Sequence, residues 1–459
     1  MLATKLYAPS ARPGLVPRPA LLHRLDEGLR LGRRITVVTA PAGYGKTTLI
    51  TSWLATRAEP FAWLSLDAGD NDPARFLTYL FAAIQRLTGE APGASQDGIA
   101  PAALAPPDLV LMPLINSLSG RESPLLLVLD DYHFVNANYV HECIQYLVDH
   151  QPAGLHLVLV TRVDPPLSLP RWRVRNQVNE VRTDDLRFSP EEAAAFLRGL
   201  TGLALPDEAV ALLDARTEGW VAGLQLAALS MQGWGVDQAA AFIRSFSGSN
   251  HFVLDYLMDE VLRQQGPDMR EFLCETAVLE RLSAALCDAV RERQDSRSVL
   301  VRLLQTNLFL TPLDAERQWY RYHHLFADVL RMQSDNAHQA RFHLRAARWF
   351  EAHGEPAEAV RHTLAAGACA EAELLVRRGE TASAAASPVE APGRTEPLSQ
   401  RELELLRLIA AGLSNDEMAA RLVITRNTTK WHVRNIFGKL GVASRTQAIV
   451  RARELHLVE

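Results

Sequence analysis

Three clusters of residues in this chain have the types and spacing to do chemistry. The first is Ala40-Pro41-Ala42-Gly43-Tyr44-Gly45-Lys46-Thr47-Thr48, small residues followed by a cation and two hydroxyls. Small residues let the backbone curl until successive N–H groups and a helix N-terminus face one anion. Lys46 then reaches the outer phosphates of a nucleotide, and the Thr47 hydroxyl completes a Mg²⁺ shell. Gly43, Tyr44, Gly45, Lys46, Thr47 and Thr48 are therefore candidate nucleotide-binding residues. The strict G-x-x-x-x-G-K-[ST] pattern is missed by one methyl group, since Ala40 replaces its first glycine. The second cluster is Asp130-Asp131 at the end of the apolar run 125–129. A strand that emerges into two carboxylates fixes their position, Asp130 to hold Mg²⁺ with Thr47 and Asp131 to orient an attacking water. A further apolar run ends in Thr161-Arg162, where Arg162 is either a cation near the outer phosphate or a surface arginine. Asp130, Asp131 and Arg162 are the catalytic candidates.

The third cluster is basic and lies near the C-terminus. Residues 398–459 carry ten Lys/Arg against six Asp/Glu in a chain whose net charge is -5. A local positive excess inside an acidic chain is what counterion release on DNA requires. Ser399-Gln400-Arg401-Glu402 and Ser414-Asn415-Asp416-Glu417 are capping boxes, and Thr425 can cap a third helix that Gly441 ends. On that helix Thr429, Val433, Ile436 and Leu440 form one stripe at a period of 3.6, which faces a core. Asn427, Lys430, Trp431, Arg434 and Gly438 fall on the opposite face, the one free to enter a major groove. Thr425, Asn427, Thr428, Lys430, Trp431, Arg434 and Lys439 are the candidate contacts to double-stranded DNA. The competing reading is a small bundle with a solvated basic face and Trp431 packed on its own domain.

Strand and helix patterns alternate from Ile35 to about Arg182, with candidate strands at 35–39, 61–65, 125–129 and 155–161. Strands apolar on both faces predict a parallel sheet covered by helices, with ligands at the carboxyl ends of the strands. After Arg182 helical spacing dominates, and Ser189-Pro190-Glu191-Glu192 is a capping box with proline at the first helical position. Tyr320 to Phe326 reads as the end of a helical module. His323 and His324 then point to different faces of a helix, and no carboxylate or cysteine stands at ligand spacing, which argues against a metal. Short amphipathic helices are expected at 338–351, 357–364 and 370–376. Residues 381–397 form an Ala/Ser/Pro-rich linker that spans about 20–25 Å as a flexible coil.

Composition narrows the class. With 459 residues, 48% hydrophobic and 22% charged, the chain is an ordinary globular one of several domains. Its four cysteines form no C-x-x-C pair, which fits a reducing cytoplasm. No apolar run approaches the ~20 residues of a membrane span, and the N-terminus lacks the apolar core of a leader, so a cytoplasmic protein without a membrane partner is expected.

Both ends together resemble the MalT-type large ATP-binding regulators of the LuxR family, a branch of the STAND NTPases. The resemblance rests on Thr4-Lys5-Leu6, Pro13 to Arg18, Ala40–Thr48 with its alanine start, Asp130-Asp131-Tyr132-His133, Thr161-Arg162, Tyr322-His323-His324-Leu325-Phe326 and Leu398 onward. It implies a multidomain fold: an α/β P-loop NTPase (1–187), an all-α helical domain (188–265), a winged-helix-like domain (266–337), a short helical-repeat remnant (338–380), the linker (381–397) and an all-α LuxR-type helix-turn-helix (398–459). It places Val16 and Arg18 near adenine, and one of His323 and His324 against a bound diphosphate. Residues 218–225 stand where relatives outside this branch carry Gly-x-Pro, with Gln225 in place of the proline. Thr429 departs from the family's valine. The implied cofactors are ATP or ADP with Mg²⁺, and the implied partners are DNA, further copies of the chain in the ATP state and RNA polymerase. A slow ATPase serving as a switch is expected rather than a metabolic enzyme. Relatives place a long helical-repeat sensor before the DNA-binding domain, so control by the ATP/ADP ratio or by a protein docking on 338–380 is expected here in place of a sugar-like inducer. The competing readings are a DNA-stimulated ATPase or remodelling enzyme, and a truncated interaction partner of a full-length relative.

Overall fold

The computed structural model describes residues 1–10, 15–88, 105–119 and 125–375, together with 405–409 and positions 418, 421, 436 and 452. The chain divides into two compact units, Met1–Arg377 and Arg378–Glu459.

The first unit begins with a five-stranded sheet in the order β2-β3-β4-β1-β5. Its strands are β1 (Ile35–Thr39), β2 (Phe61–Ser65), β3 (Leu125–Asp130), β4 (Leu155–Thr161) and β5 (Val178–Val181), and every pairing is parallel. The four expected strands are present, and a fifth, β5, adds to the edge beside β1. Polar Asn179 and Glu180 interrupt the apolar signature of that strand, because an edge strand buries less. In the central strands the side chains alternate between two cores. Leu125, Leu127 and Leu129 join one core with the helices Pro73–Thr88, Pro107–Leu118 and Asn138–His150. Leu126, Val128, Val158 and Val160 join the other, which continues without a break into the helices that follow the sheet.

After the short helix Thr183–Leu186, five longer helices follow: Pro190–Thr201, Asp207–Thr217, Val221–Ser230, Val236–Ser245 and His251–Leu257. The first of the five has the expected reciprocal cap, Glu192 N–H to Ser189 Oγ at 3.2 Å and Ser189 N–H to Glu192 Oε2 at 2.9 Å. The last runs into a π-helical turn, Met258–Leu262. A winged-helix module follows, with helices Pro267–Thr276, Ala284–Arg291, Ser296–Gln305 and His324–Met332, and an antiparallel hairpin of β6 (Leu310–Pro312) and β7 (Tyr320–Tyr322).

One expectation is corrected here. Tyr320 to Tyr322 is a strand and not the end of a helix, held on its far side by reciprocal bonds between the backbones of Tyr320 and Leu282 (2.7 and 2.9 Å). The two histidines therefore do not share a helix: His323 is the N-cap and His324 the first helical residue. The first unit closes with helices Asn336–Ala352 and Pro356–Ala365, then helical residues at 369–375. Among the described residues no helix is long and apolar enough to cross a membrane.

Candidate functional site

The loop after β1 turns on two glycines in the left-handed region, Gly43 (φ +78°) and Gly45 (φ +75°), and Gly45 caps the helix Lys46–Ala55. The two differ in what surrounds them. A Cβ on Gly43 would lie 2.5 Å from the Ala222 Cβ and 2.7 Å from the Trp220 Nε1, whereas a Cβ on Gly45 would meet nothing within 4 Å. One side of the loop is thus pressed against the helical domain and the other is open. The pressed side is bonded as well: Trp220 Nε1–H donates to the Ala42 carbonyl and Ala222 N–H to the Gly43 carbonyl, both at 3.0 Å. Trp220 is fully buried.

Lys46 is buried, and its ammonium donates to the carbonyls of Ala40 and Pro41, both at 2.8 Å. Burial, with repulsion from Arg162 behind it, lowers its pKa to about 8. An ammonium held at cost in this way gains from a neighbouring anion. The Thr47 hydroxyl reaches both oxygens of Asp130, at 3.2 and 3.1 Å. Burial and then the charge of Asp131 raise Asp130 to about 6. Such a buried carboxylate beside a hydroxyl at a helix N-terminus is a donor set suited to Mg²⁺ next to phosphates, so these residues fit the expected ion. Asp131 adopts the left-handed conformation (φ 56°, ψ 36°), and burial raises its carboxyl too. Because β4 lies between β1 and β3, Arg162 at its end emerges between the loop and the two carboxylates. Arg162 is not a free surface arginine: it donates to the Glu260 carbonyl (3.1 Å) and side chain (3.0 Å) on the π-turn.

Beside the loop is a cavity of about 380 Å³, lined by Val16, Arg18, Tyr44, Gly45, Thr48, Phe188, Val221 and Gln225 among others. Its mixture of apolar wall and a few polar groups suits a base and ribose. Arg18 gives this cavity its shape and is itself fully engaged. Its guanidinium binds Glu192 Oε1 (3.0 Å) and the carbonyls of Leu186 (2.7 Å), Asp185 (3.1 Å) and Arg187 (2.9 Å), and it lies over the Phe188 ring at 5.0 Å. The Tyr44 side chain is buried and meets Phe309 of the winged-helix module with ring centroids 6.3 Å apart.

The two histidines have separate environments. His323 is buried, and its Nε2 is 2.8 Å from the Thr217 carbonyl, while Nδ1 has no partner among the described residues. Burial lowers its pKa to about 4, so the ring is neutral with its proton on Nε2. It stands edge-on to Trp220 (5.8 Å) and Phe309 (5.7 Å), the rings that back the loop. His324 is 65% exposed and lies 3.8 Å from Glu218. Glu218 takes two bonds of 2.7 Å from Arg321. Burial alone would raise its carboxyl, but the Arg321 bonds and the nearby His323 outweigh it and hold the pKa at about 2.

In the C-terminal unit Leu405, Leu406, Ile409, Met418, Ile436 and Ala452 are helical and buried. Ile436 belongs to the stripe assigned to a core. Thr425, Asn427, Thr428, Lys430, Trp431, Arg434 and Lys439 lie outside the described residues.

Comparison with known proteins finds three families that match separate stretches of the chain. Residues 29–164 match the family described as an AAA domain, 258–342 the MalT winged helix domain, and 396–452 the bacterial regulatory proteins of the luxR family. The chain thus combines stretches similar to an AAA domain, a MalT winged helix domain and a luxR-family domain. It is 35% identical over 372 residues to the HTH-type transcriptional regulator MalT of Klebsiella pneumoniae subsp. pneumoniae, covering 80% of this chain and 41% of the relative. It is 36% identical over 373 residues to MalT of Cronobacter sakazakii, with the same shares. The chain thus spans less than half the length of the curated relatives it matches. A solved Walker-type ATPase of Pyrococcus abyssi is 14% identical, with a TM-score of 0.48, covering 72% of this chain and all of that one.

Several residues that shape the site escape a motif-based reading. Trp220, Glu218, Arg321, Glu260 and Phe309 all act across long sequence separations. One signal was available: Glu218-Gly219 precedes Trp220, and both of these residues take positive φ (52° and 70°) to turn the tryptophan under the loop.

Proposed function

We propose that the chain is an ATP-dependent transcriptional regulator in which the nucleotide state governs self-association, and self-association governs DNA binding through the C-terminal helix-turn-helix. The observation that carries this reading is the loop itself, open to an anion on the Gly45 side and bonded to the helical domain through Trp220 and Ala222 on the Gly43 side. A ligand that enters the open side acts on a loop whose other side is a domain contact, the arrangement a switch needs.

In this reading Lys46 and the backbone N–H groups at 45–48 hold the phosphates, Thr47 and Asp130 hold Mg²⁺, and Val16, Thr48 and the cavity wall take the base and ribose. Mg²⁺ supplies charge neutralisation at the outer phosphates. Asp131 orients the attacking water, and Arg162 neutralises developing charge once released from Glu260. His323, not His324, is the histidine that registers the diphosphate, since it alone backs the loop. Double-stranded DNA is the target, RNA polymerase the further partner, and the cytoplasm the compartment. The ATP/ADP ratio, or a protein on 338–380, sets the switch.

Titration of the full chain with Mg-ATP tests the reading. Lys46→Ala should weaken binding on the order of a hundredfold, because a charge-assisted contact to phosphate is lost. Unchanged affinity in that variant would remove the site from this loop, and turnover strongly accelerated by DNA would favour a remodelling enzyme instead.

A further inference from the structure

His133 has no role in the account so far, and its surroundings are unlike those of the other buried histidines of the α/β domain. His141 bonds the Tyr132 hydroxyl at 2.8 Å, and His156 bonds Thr36 Oγ1 at 2.8 Å and the Arg33 carbonyl at 2.7 Å. Those two are satisfied core residues. The His133 side chain is only 9% exposed, yet neither ring nitrogen has a partner among the described residues. Asp131 Oδ1 lies 3.7 Å from its Nδ1, beyond hydrogen-bond reach. Leaving such a ring unpaired is costly to a fold, so its type calls for an explanation outside the apo packing.

Its position supplies one. His133 sits on the single 3-10 turn Tyr132–Phe134 that follows the left-handed Asp131, and its ring packs on Phe134 with centroids 4.3 Å apart. Asp131, Lys46 and Arg162 are the charged groups around it, the same three that surround the outer-phosphate position. A neutral imidazole offers one N–H and one lone pair. A terminal phosphoryl oxygen accepts the first, and a water lined up on that phosphorus donates to the second. A diphosphate lacks that third phosphoryl group and the water aligned on it.

We propose that His133 reads the terminal phosphate of a bound nucleoside triphosphate, donating to a phosphoryl oxygen and accepting from the attacking water that Asp131 orients. The proposal rests on the nucleotide site described above and adds to it the residue that separates triphosphate from diphosphate.

The test compares two ligands on the full-length chain. Wild type and His133→Phe are titrated with Mg-ADP and with Mg-AMP-PNP, and thermal melts are recorded without nucleotide. Phenylalanine keeps the ring contact with Phe134 and removes both orphaned nitrogens, so the apo melt should be unchanged or higher. ADP affinity should stay within about twofold, while AMP-PNP affinity should fall roughly tenfold, the size of a hydrogen bond to a charged group. A fall of equal size for both ligands, or for neither, overturns the proposal. Should the phenylalanine variant not fold, His133→Leu carries the same comparison with the same expected and contrary results. Wild type that binds neither ligand would instead sink the nucleotide reading beneath it.

Discussion

His323 is buried as a neutral ring, and the sign of its effect on stability follows from linkage. Its pKa is lowered from 6.5 to about 4 in the fold, first by burial. Between those values the unfolded chain binds a proton that the folded chain does not, so stability rises with pH across that window and is lost as pH falls from 6.5 towards 4. A shift of this size corresponds to about 3 kcal/mol. His323→Gln, which keeps a donor for the Thr217 carbonyl, should flatten the unfolding profile between pH 7 and 4.5 by about 2–3 kcal/mol relative to wild type. His133, His156, His343 and His362 are shifted in the same direction but are common to both proteins, so the difference reports His323 together with Glu218, whose pKa it lowers. Parallel profiles from denaturant melts at each pH would contradict the assignment. At this scale legibility depended on sequence distance. Lys46, Thr47 and Asp130 stand in contiguous motifs and were readable. Trp220 and Ala42 are 178 residues apart, and Arg321 and Glu218 are 103 apart, and no local pattern records such a partner.

At the scale of elements the loop and the recognition helix make separate predictions. Gly43→Ala places a methyl group against Ala222 and Trp220 at a positive φ, so it should destabilise the apo protein by at least about 2 kcal/mol and loosen the loop from the helical domain. Gly45→Ala carries the same φ cost in open space, about 1 kcal/mol, yet should lose nucleotide, because its methyl group projects towards the phosphates. Apo melts and Mg-ATP titrations separate the two, and the reverse pattern would mean that the loop's open side has been misidentified. In the C-terminal domain Arg434→Ala should cost about 1–3 kcal/mol at a specific site and relax base preference, whereas removing Arg426, a cation outside the face assigned to the groove, in Arg426→Ala should weaken all sequences alike. Binding-site selection and affinity at fixed salt decide it; identical preferences in wild type and Arg434→Ala would place the reading face elsewhere. The strands β1 to β4 were legible because each is a short apolar run between turn signals. The edge strand β5 and the hairpin of β6 and β7 were not: edges and three-residue strands are set by tertiary pairing, as Tyr320 is by Leu282, and carry little periodicity.

At the scale of the whole molecule, the proposed switch has one face of the phosphate loop answering to nucleotide and the other to the helical and winged-helix modules. Trp220, Phe309, His323 and Tyr44 join loop, helical domain and winged helix into one aromatic contact, the route by which the proposed switch would carry a change at the loop to the other two. A ligand shifts such an equilibrium only by its difference in affinity for the two states, about 5.5 kcal/mol for a near-complete switch. The measurement that tests this most directly is the mass of the full chain in solution by sedimentation, with Mg-ADP and with Mg-AMP-PNP at equal protein concentration. The account predicts a monomer with ADP and a larger assembly with the triphosphate analogue; the same mass with both ligands, each shown to be bound, would contradict it.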